Sequence, residues 1–242
     1  MKKYLLIYIL SLVSIFIFVG TVKAESNIYS SQTGHYSFTI PNGWIKTSQY
    51  EIAQKIKYAL EHGGTAFPTN YAGFQVSGTS TFPSMTIYEF LSDNASYLQM
   101  QQEFNNKLNP TLNLINGTYP DANATSGIPY IDKNRNMVFV KMQANVPGIG
   151  PADALMVYIL GKDVDVSLSF YSLDSDYSKD LLIFNAVVNS FKFEKGYEYV
   201  QTTANTGSIN YSVWITPAVL VLFGIWQSFR WNSKKTAKKF LQ

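Results

Sequence analysis

The sequence predicts an α+β domain: an antiparallel β-sheet covered by helices, set between an N-terminal signal segment and one C-terminal transmembrane helix. Three observations predict it. Strand-like alternation recurs from Tyr36 to Tyr171, and its last three runs are joined by short turns. The helical stripes are grouped apart from those strand runs, which argues against a doubly wound parallel sheet. Two uncharged apolar runs stand near the ends of the 242-residue chain.

The elements follow in order. Tyr36, Phe38 and Ile40 alternate with Ser37 and Thr39, and PNGW follows as a turn. Ile52, Ile56, Ala59 and Leu60 recur at helical spacing before Gly63 and Gly64 stop the helix. Residues 84–90 form a short mixed strand run. Tyr97, Met100, Phe104 and Leu108 make a second helical stripe, which Asp93 can cap and Pro110 ends. Val138, Val140, Met142 and Ala144 share one side of a strand over 137–146. Residues 154–160 are apolar on both faces, as in a covered central strand. Val164, Val166, Leu168 and Phe170 alternate with Asp165, Ser167, Ser169 and Tyr171, which predicts a half-buried strand with its polar side in water. Tyr177, Leu181, Phe184 and Val188 make the third helix, with Asp174 and Asp176 at its positive start.

The ends set a topology. Lys2 and Lys3, an apolar run and Val22-Lys23-Ala24 have the order of a secretory signal over residues 1–24. Residues 25–200 then form the extracytoplasmic domain, and 201–210 a small polar linker. Residues 211–229 carry no charge and are long enough to cross a hydrocarbon core. Trp214 and Trp226 lie toward the ends of this span, where indole rings favour headgroups. The tail, 230–242, opens with Arg230, Lys234 and Lys235, a basic flank of the kind that stays cytoplasmic. All 16 acids and only 11 of the 19 basic residues lie from Glu25 to Glu198, so an acidic middle, net −5, stands between basic ends. A nucleic-acid-binding domain concentrates positive charge on its folded part, so that class is excluded.

Little in the sequence advertises chemistry. The absence of cysteine excludes disulfides, thiol nucleophiles and thiolate metal sites. Only His35 and His62 are available as imidazole bases, and no serine lies in a G-x-S-x-G elbow. Asp163, Asp165, Asp174, Asp176 and Asp180 have carboxylate spacing that calcium sites use, but Lys179 and Asn185 stand where an EF-hand needs glycine and glutamate. The turn around Gly148 and Gly150 lacks the lysine of a phosphate loop. No cofactor and no metal are expected. Phe67, Tyr71, Phe74 and Phe82 stand out instead, in a Gly/Ser/Thr-rich stretch read as a loop that lines a ligand pocket or a partner surface.

The opening HYSFTIPNGW resembles the start of PsbP-like and Mog-type domains. The ending is similar as well, with Ala186 and Val187 leading into VNSFKFE. The resemblance covers nearly the whole outward domain. It implies a PsbP-like α/β sandwich that binds or assembles rather than catalyses, and it carries over no catalytic residue set. The C-terminal span departs from the photosynthetic members, so no photosystem role follows. The expected function is a membrane-anchored, single-pass, non-catalytic module with a protein partner at the membrane. A small-ligand receptor or carrier is the alternative, and a hydrolase ranks last.

Overall fold

The computed structural model describes residues 27–61, 68–78, 82–92, 112–113, 116, 120–146 and 149–200. Short alternating runs near the N-terminus give β1 (Ile28–Ser31), β2 (Tyr36–Thr39) and β3 (Trp44–Lys46). The stripe through Ile52 and Ile56 gives α1 (Gln49–Glu61). Then come β4 (Asn70–Val76) and β5 (Ser84–Leu91), a 3-10 turn at Pro120–Ala122, and the short β6 (Thr125–Ser126) and β7 (Tyr130–Asp132). Three ten-residue strands follow: β8 (Met137–Val146), β9 (Gly150–Ile159) and β10 (Val164–Leu173). The chain ends its described part with α2 (Tyr177–Ser190) and β11 (Lys192–Phe193).

The main sheet has the order β3-β4-β5-β10-β9-β8-β6, with β7 also paired to β8. Every pairing in it is antiparallel. The expected meander is present: β9 pairs with β8 on one side and β10 on the other. A small second sheet, β1-β2-β11, joins the two ends of the domain.

The two faces of the main sheet feed two cores. On one face, Met85, Ile87, Val157, Val166, Leu168 and Phe170 pack with Phe184, Val187 and Val188 of α2 and with Tyr36 and Phe38 of β2. The ring of Phe184 lies over that of Phe170 at 4.5 Å. On the other face, Tyr88, Phe90, Val138, Val140, Met156, Tyr158 and Tyr171 pack with Ile52 and Ile56 of α1 and with Leu112. Gly73 lets α1 come this close, because a Cβ there would meet Ile52 Cδ1 at 2.8 Å.

Three expectations need correction. Strand β10 is not half-buried: Asp165, Ser167, Ser169 and Tyr171 are as buried as the apolar residues between them, since the α1 face is also covered. Residues 66–83 are not one loop, because β4 occupies their middle and pairs with β5. Strand β9 begins at Gly150 rather than near Ala154, with Pro151 paired opposite Asn145 of β8. The expected helix through Tyr97 and Leu108 lies outside the described residues, as do the signal segment 1–24, the linker 201–210, the span 211–229 and the tail 230–242. Among the described residues, no helix is long and apolar enough to cross a membrane.

Candidate functional site

The four aromatic residues singled out in the sequence do not form one cluster. Phe74 points into the α2-side core and is fully buried, 5.5 Å from the Tyr29 ring in an edge contact. Tyr71 and Phe82 are half-buried and pack on the α1-side core, the opposite face of the sheet. The separation follows from the two-residue period of β4, where positions 71 and 74 face opposite ways. Phe67 lies outside the described residues, as do Trp214, Trp226, Arg230, Lys234 and Lys235.

His35, Asp165 and Asp180 go to structural places. His35 sits in the turn before β2 at φ 51. Its ring stacks on Tyr197 at 3.7 Å, and its Nδ1 lies 3.0 Å from Glu194 Oε2. These contacts pin the end of the domain to its beginning. His62 lies outside the described residues. Asp165 Oδ1 accepts the Gly161 N–H at 3.0 Å, and Asp180 Oδ2 accepts from Ser172 Oγ at 2.6 Å. Asp165 lies on the α1 face of β10, whereas Asp180 belongs to α2 and reaches the opposite face of that strand at Ser172, so these two aspartates do not converge. Among the described residues, no group of three or more His, Cys, Asp or Glu side chains could hold a metal ion. Asp176 precedes α2 as expected but makes no side-chain cap, so its effect on the helix start is electrostatic only.

Two buried polar constellations were not anticipated. The first is centred on Glu89 of β5, which is 1% exposed beneath the small sheet. Ser31 Oγ donates to its Oε1 at 2.6 Å, Tyr36 Oη at 3.0 Å and Asn70 Nδ2 at 3.1 Å. Thr33 Oγ1 donates to Oε2 at 2.8 Å. Four donors thus take the place of a cation, as a buried carboxylate requires. Burial, and then the Glu89 charge, push the Tyr36 phenol well above its usual range. A lone acid in the apolar run SMTIYEFL was the available signal. Its alternation puts Glu89 on the side of Met85 and Ile87, which a solvent-facing acid would not share.

The second constellation lies on the α1 face of β5, β10 and β9. The register aligns Tyr71, Tyr88, Ser167 and Tyr158 in one row across four strands. Gly73, Thr86, Ser169 and Met156 form the next row, and Ser84, Tyr171 and Ala154 the third. Thr86, Tyr88, Tyr158, Ser167, Ser169 and Tyr171 are all buried. Burial raises the phenols of this strip, Tyr88 to about 12, and pushes Tyr158 and Tyr171 well up from the usual value, so all three are neutral hydroxyls at physiological pH. The nearby hydroxyls of Thr86, Ser167 and Ser169 act in the opposite direction, but more weakly. Among the described residues, the hydroxyls of Thr86, Ser167, Ser169 and Tyr171 have no partner at hydrogen-bonding geometry.

An ion pair completes the polar interior. Lys141 Nζ lies 3.3 Å from Asp153 Oδ1 and 4.2 Å from the centre of the Tyr177 ring. The contact is electrostatic rather than a formed hydrogen bond. It ties β8 and β9 to the first residue of α2.

No family model matches the chain, and no curated protein matches it. The solution structure of PsbP from the cyanobacterium Synechocystis sp. PCC 6803 is similar, at 14% identity and a TM-score of 0.48, over 72% of this chain and 96% of that one. A crystal structure from Bacteroides thetaiotaomicron is similar at 12% identity and a TM-score of 0.43, over 70% of this chain and 48% of that one.

Proposed function

We propose that the chain is a membrane-anchored binding module that holds its folded domain outside the membrane and docks there on a protein partner without turnover. The order of charge along the chain carries this reading: an acidic middle stands between two basic, apolar ends. Basic flanks remain cytoplasmic, so both ends give the same orientation. Trp214 and Trp226 would seat the span at the headgroups, and Arg230, Lys234 and Lys235 would hold it against transfer. Ile128, 92% exposed, and Tyr130 are apolar side chains beside the β7–β8 edge, where a partner would find contact area.

The topology is tested with a protease added outside intact cells or spheroplasts. It should digest the domain and spare a tag placed after Gln242, and protection of the domain would refute the orientation. Docking is tested by purifying the full chain from crosslinked native membranes. One recurrent protein at near-equal amount is expected, and its absence would defeat the assembly reading.

A further inference from the structure

The folded domain releases the chain at one end of the main sheet. Past β11 the chain turns back onto the β9–β10 turn, where the Lys162 N–H donates to the Tyr197 carbonyl at 3.0 Å and Glu198 bridges to Gly161. Tyr199 is buried in the α1-side core, and Val200 beyond it is exposed. The exit point is therefore fastened to the fold. The β7–β8 turn and the C-terminus of α2 lie at the same end. Arg135 Nη1 donates to Asn189 Oδ1 at 3.0 Å, and the Leu160 N–H donates to the Asn136 carbonyl at 2.9 Å. Residues 201–210 separate Val200 from the proposed span, a stretch that reaches at most about 40 Å. With that span in the bilayer, this is the tethered end of the domain.

Basic side chains gather there. Among the described residues, Lys133, Arg135, Lys162, Lys192 and Lys195 are exposed on the turns and segments around the exit. The acids of this end are engaged locally for the most part. Asp132 holds Arg135 at 2.7 Å, Glu194 Oε2 lies 3.0 Å from His35, and Glu198 accepts the Gly196 N–H at 2.6 Å. Asp163 adds a fourth, exposed in the β9–β10 turn. The opposite end has the reverse balance. Asp121, Asp174 and Asp176 are exposed around the β8–β9 turn, with Lys179 beside them. Contacts from Asn145 to the Asp121 carbonyl and from the Asp174 N–H to Pro151 hold that group together. Two apolar side chains complete the exit end, Leu91 at 73% exposure where β5 finishes and Val200 at 65%. Lysine stems with apolar neighbours suit a headgroup layer, where the ammonium meets phosphate and the apolar atoms leave water.

We infer that the exit end of the domain rests on the membrane itself, with Lys162, Lys192 and Lys195 against anionic phospholipid headgroups and Leu91 and Val200 at the interface. The inference rests on the anchoring proposed above and adds an orientation to it. The acidic β8–β9 end points away from the bilayer, and the sheet edge that carries Ile128 and Tyr130 stays lateral. A protein partner is then met beside the domain rather than beneath it.

The chain has no cysteine, so a single introduced one takes a label cleanly. Asn134→Cys in the β7–β8 turn and Ser175→Cys before α2 put a fluorophore on exposed residues at the two ends, outside the proposed contact surface. The full chain is reconstituted in vesicles of phosphatidylglycerol and phosphatidylcholine in equal parts, with a nitroxide quencher on the headgroups. Quenching is expected to be several-fold stronger at position 134 than at 175. Salt at about 1 M, where the screening length is about 3 Å, should remove most of that difference. Each lysine near an anionic surface contributes about fivefold, partly offset here by Asp163 and Glu198, so Lys162→Gln/Lys195→Gln should lower the docked-to-undocked ratio about tenfold. Vesicles of phosphatidylcholine alone should show only the small difference that tethering leaves. Four results would overturn the proposal. Equal quenching at both ends, in a chain that floats with the vesicles, removes the docking and leaves the anchor standing. A difference that survives salt, neutral lipid and the lysine variant is tethering without headgroup contact. A photoactivated label at 134 that crosslinks a protein instead of lipid in native membranes gives this end to the protein partner. A chain that does not float with the vesicles removes the anchor, and the docking with it.

Discussion

Replacing Glu89 tests what fastens the small sheet to the large one. In Glu89→Ala, the hydroxyls of Ser31 and Tyr36, both buried, lose their acceptor, and those of Thr33 and the Asn70 amide lose theirs nearer to water. A stranded buried donor costs about 1–3 kcal/mol. Two such donors give about 2–6 kcal/mol. Release of a charge from the interior offsets part of this, and Ser31 Oγ keeps its contact with the Gly34 N–H at 3.0 Å. The expected loss is about 3 kcal/mol. Glu89→Gln keeps the shape and one acceptor, and should lose about half as much. The assay is urea unfolding of residues 25–205, which contain Trp44 as their one tryptophan. Trp44 lies in the α2-side core against Phe184, so its fluorescence reports that packing. With a slope of about 2 kcal/mol per molar, the alanine variant should unfold about 1.5 M earlier at unchanged slope. A loss under about 1 kcal/mol, or glutamine no better than alanine, would refute the view that this network fastens the layers.

Three further outcomes are expected. Residues 25–205 should be soluble and show a cooperative transition; aggregation would mean that the boundary or the anchor is misread. Gly161→Ala should destabilise by about 2–3 kcal/mol in the same urea assay, because its Cβ would run into the Val164 carbonyl oxygen and the Phe193 ring; a neutral result would show that the β9–β10 turn can yield. In alkali, burial keeps Tyr88 and Tyr177 protonated in the fold up to about pH 12, whereas their unfolded phenols ionise near pH 10. Their raised values favour the fold below pH 10, and that contribution is lost as pH climbs toward 12, so stability should fall across this window. Phenolate absorbance from the buried set should then appear together with unfolding; early, gradual titration of all tyrosines would contradict the burial.

Long periodic runs were legible in the sequence. Residues 137–146 and the stripe through Tyr177 and Val188 became β8 and α2, because ten or more residues of one period leave little ambiguity. Strands β6, β7 and β11, at two or three residues, carry no period and exist only because a neighbouring strand pairs with them. The polar side of β10 was misread for a different reason. Alternation reports polarity, and polarity equals exposure only when one face meets water. Serines at 167 and 169 look the same whether they face solvent or a covered interior. Gly73 and the small residues around Tyr71 disguised β4 as a loop, although Gly73 is there to admit Ile52 of α1.

The small sheet also sets an order of events during synthesis. Strands β1 and β2 leave the ribosome first, yet β2 completes its pairing with β11, and the His35–Glu194 contact beside it spans 159 residues. Strand β5 likewise waits for β10. The earliest segments therefore have no stable home until almost the last residue of the domain exists, and closing such long loops is slow. A chain that stops short of Phe193 leaves its first hairpin without that strand. Closure of the small sheet therefore coincides with the synthesis of the domain's last strand, not of its first hairpin.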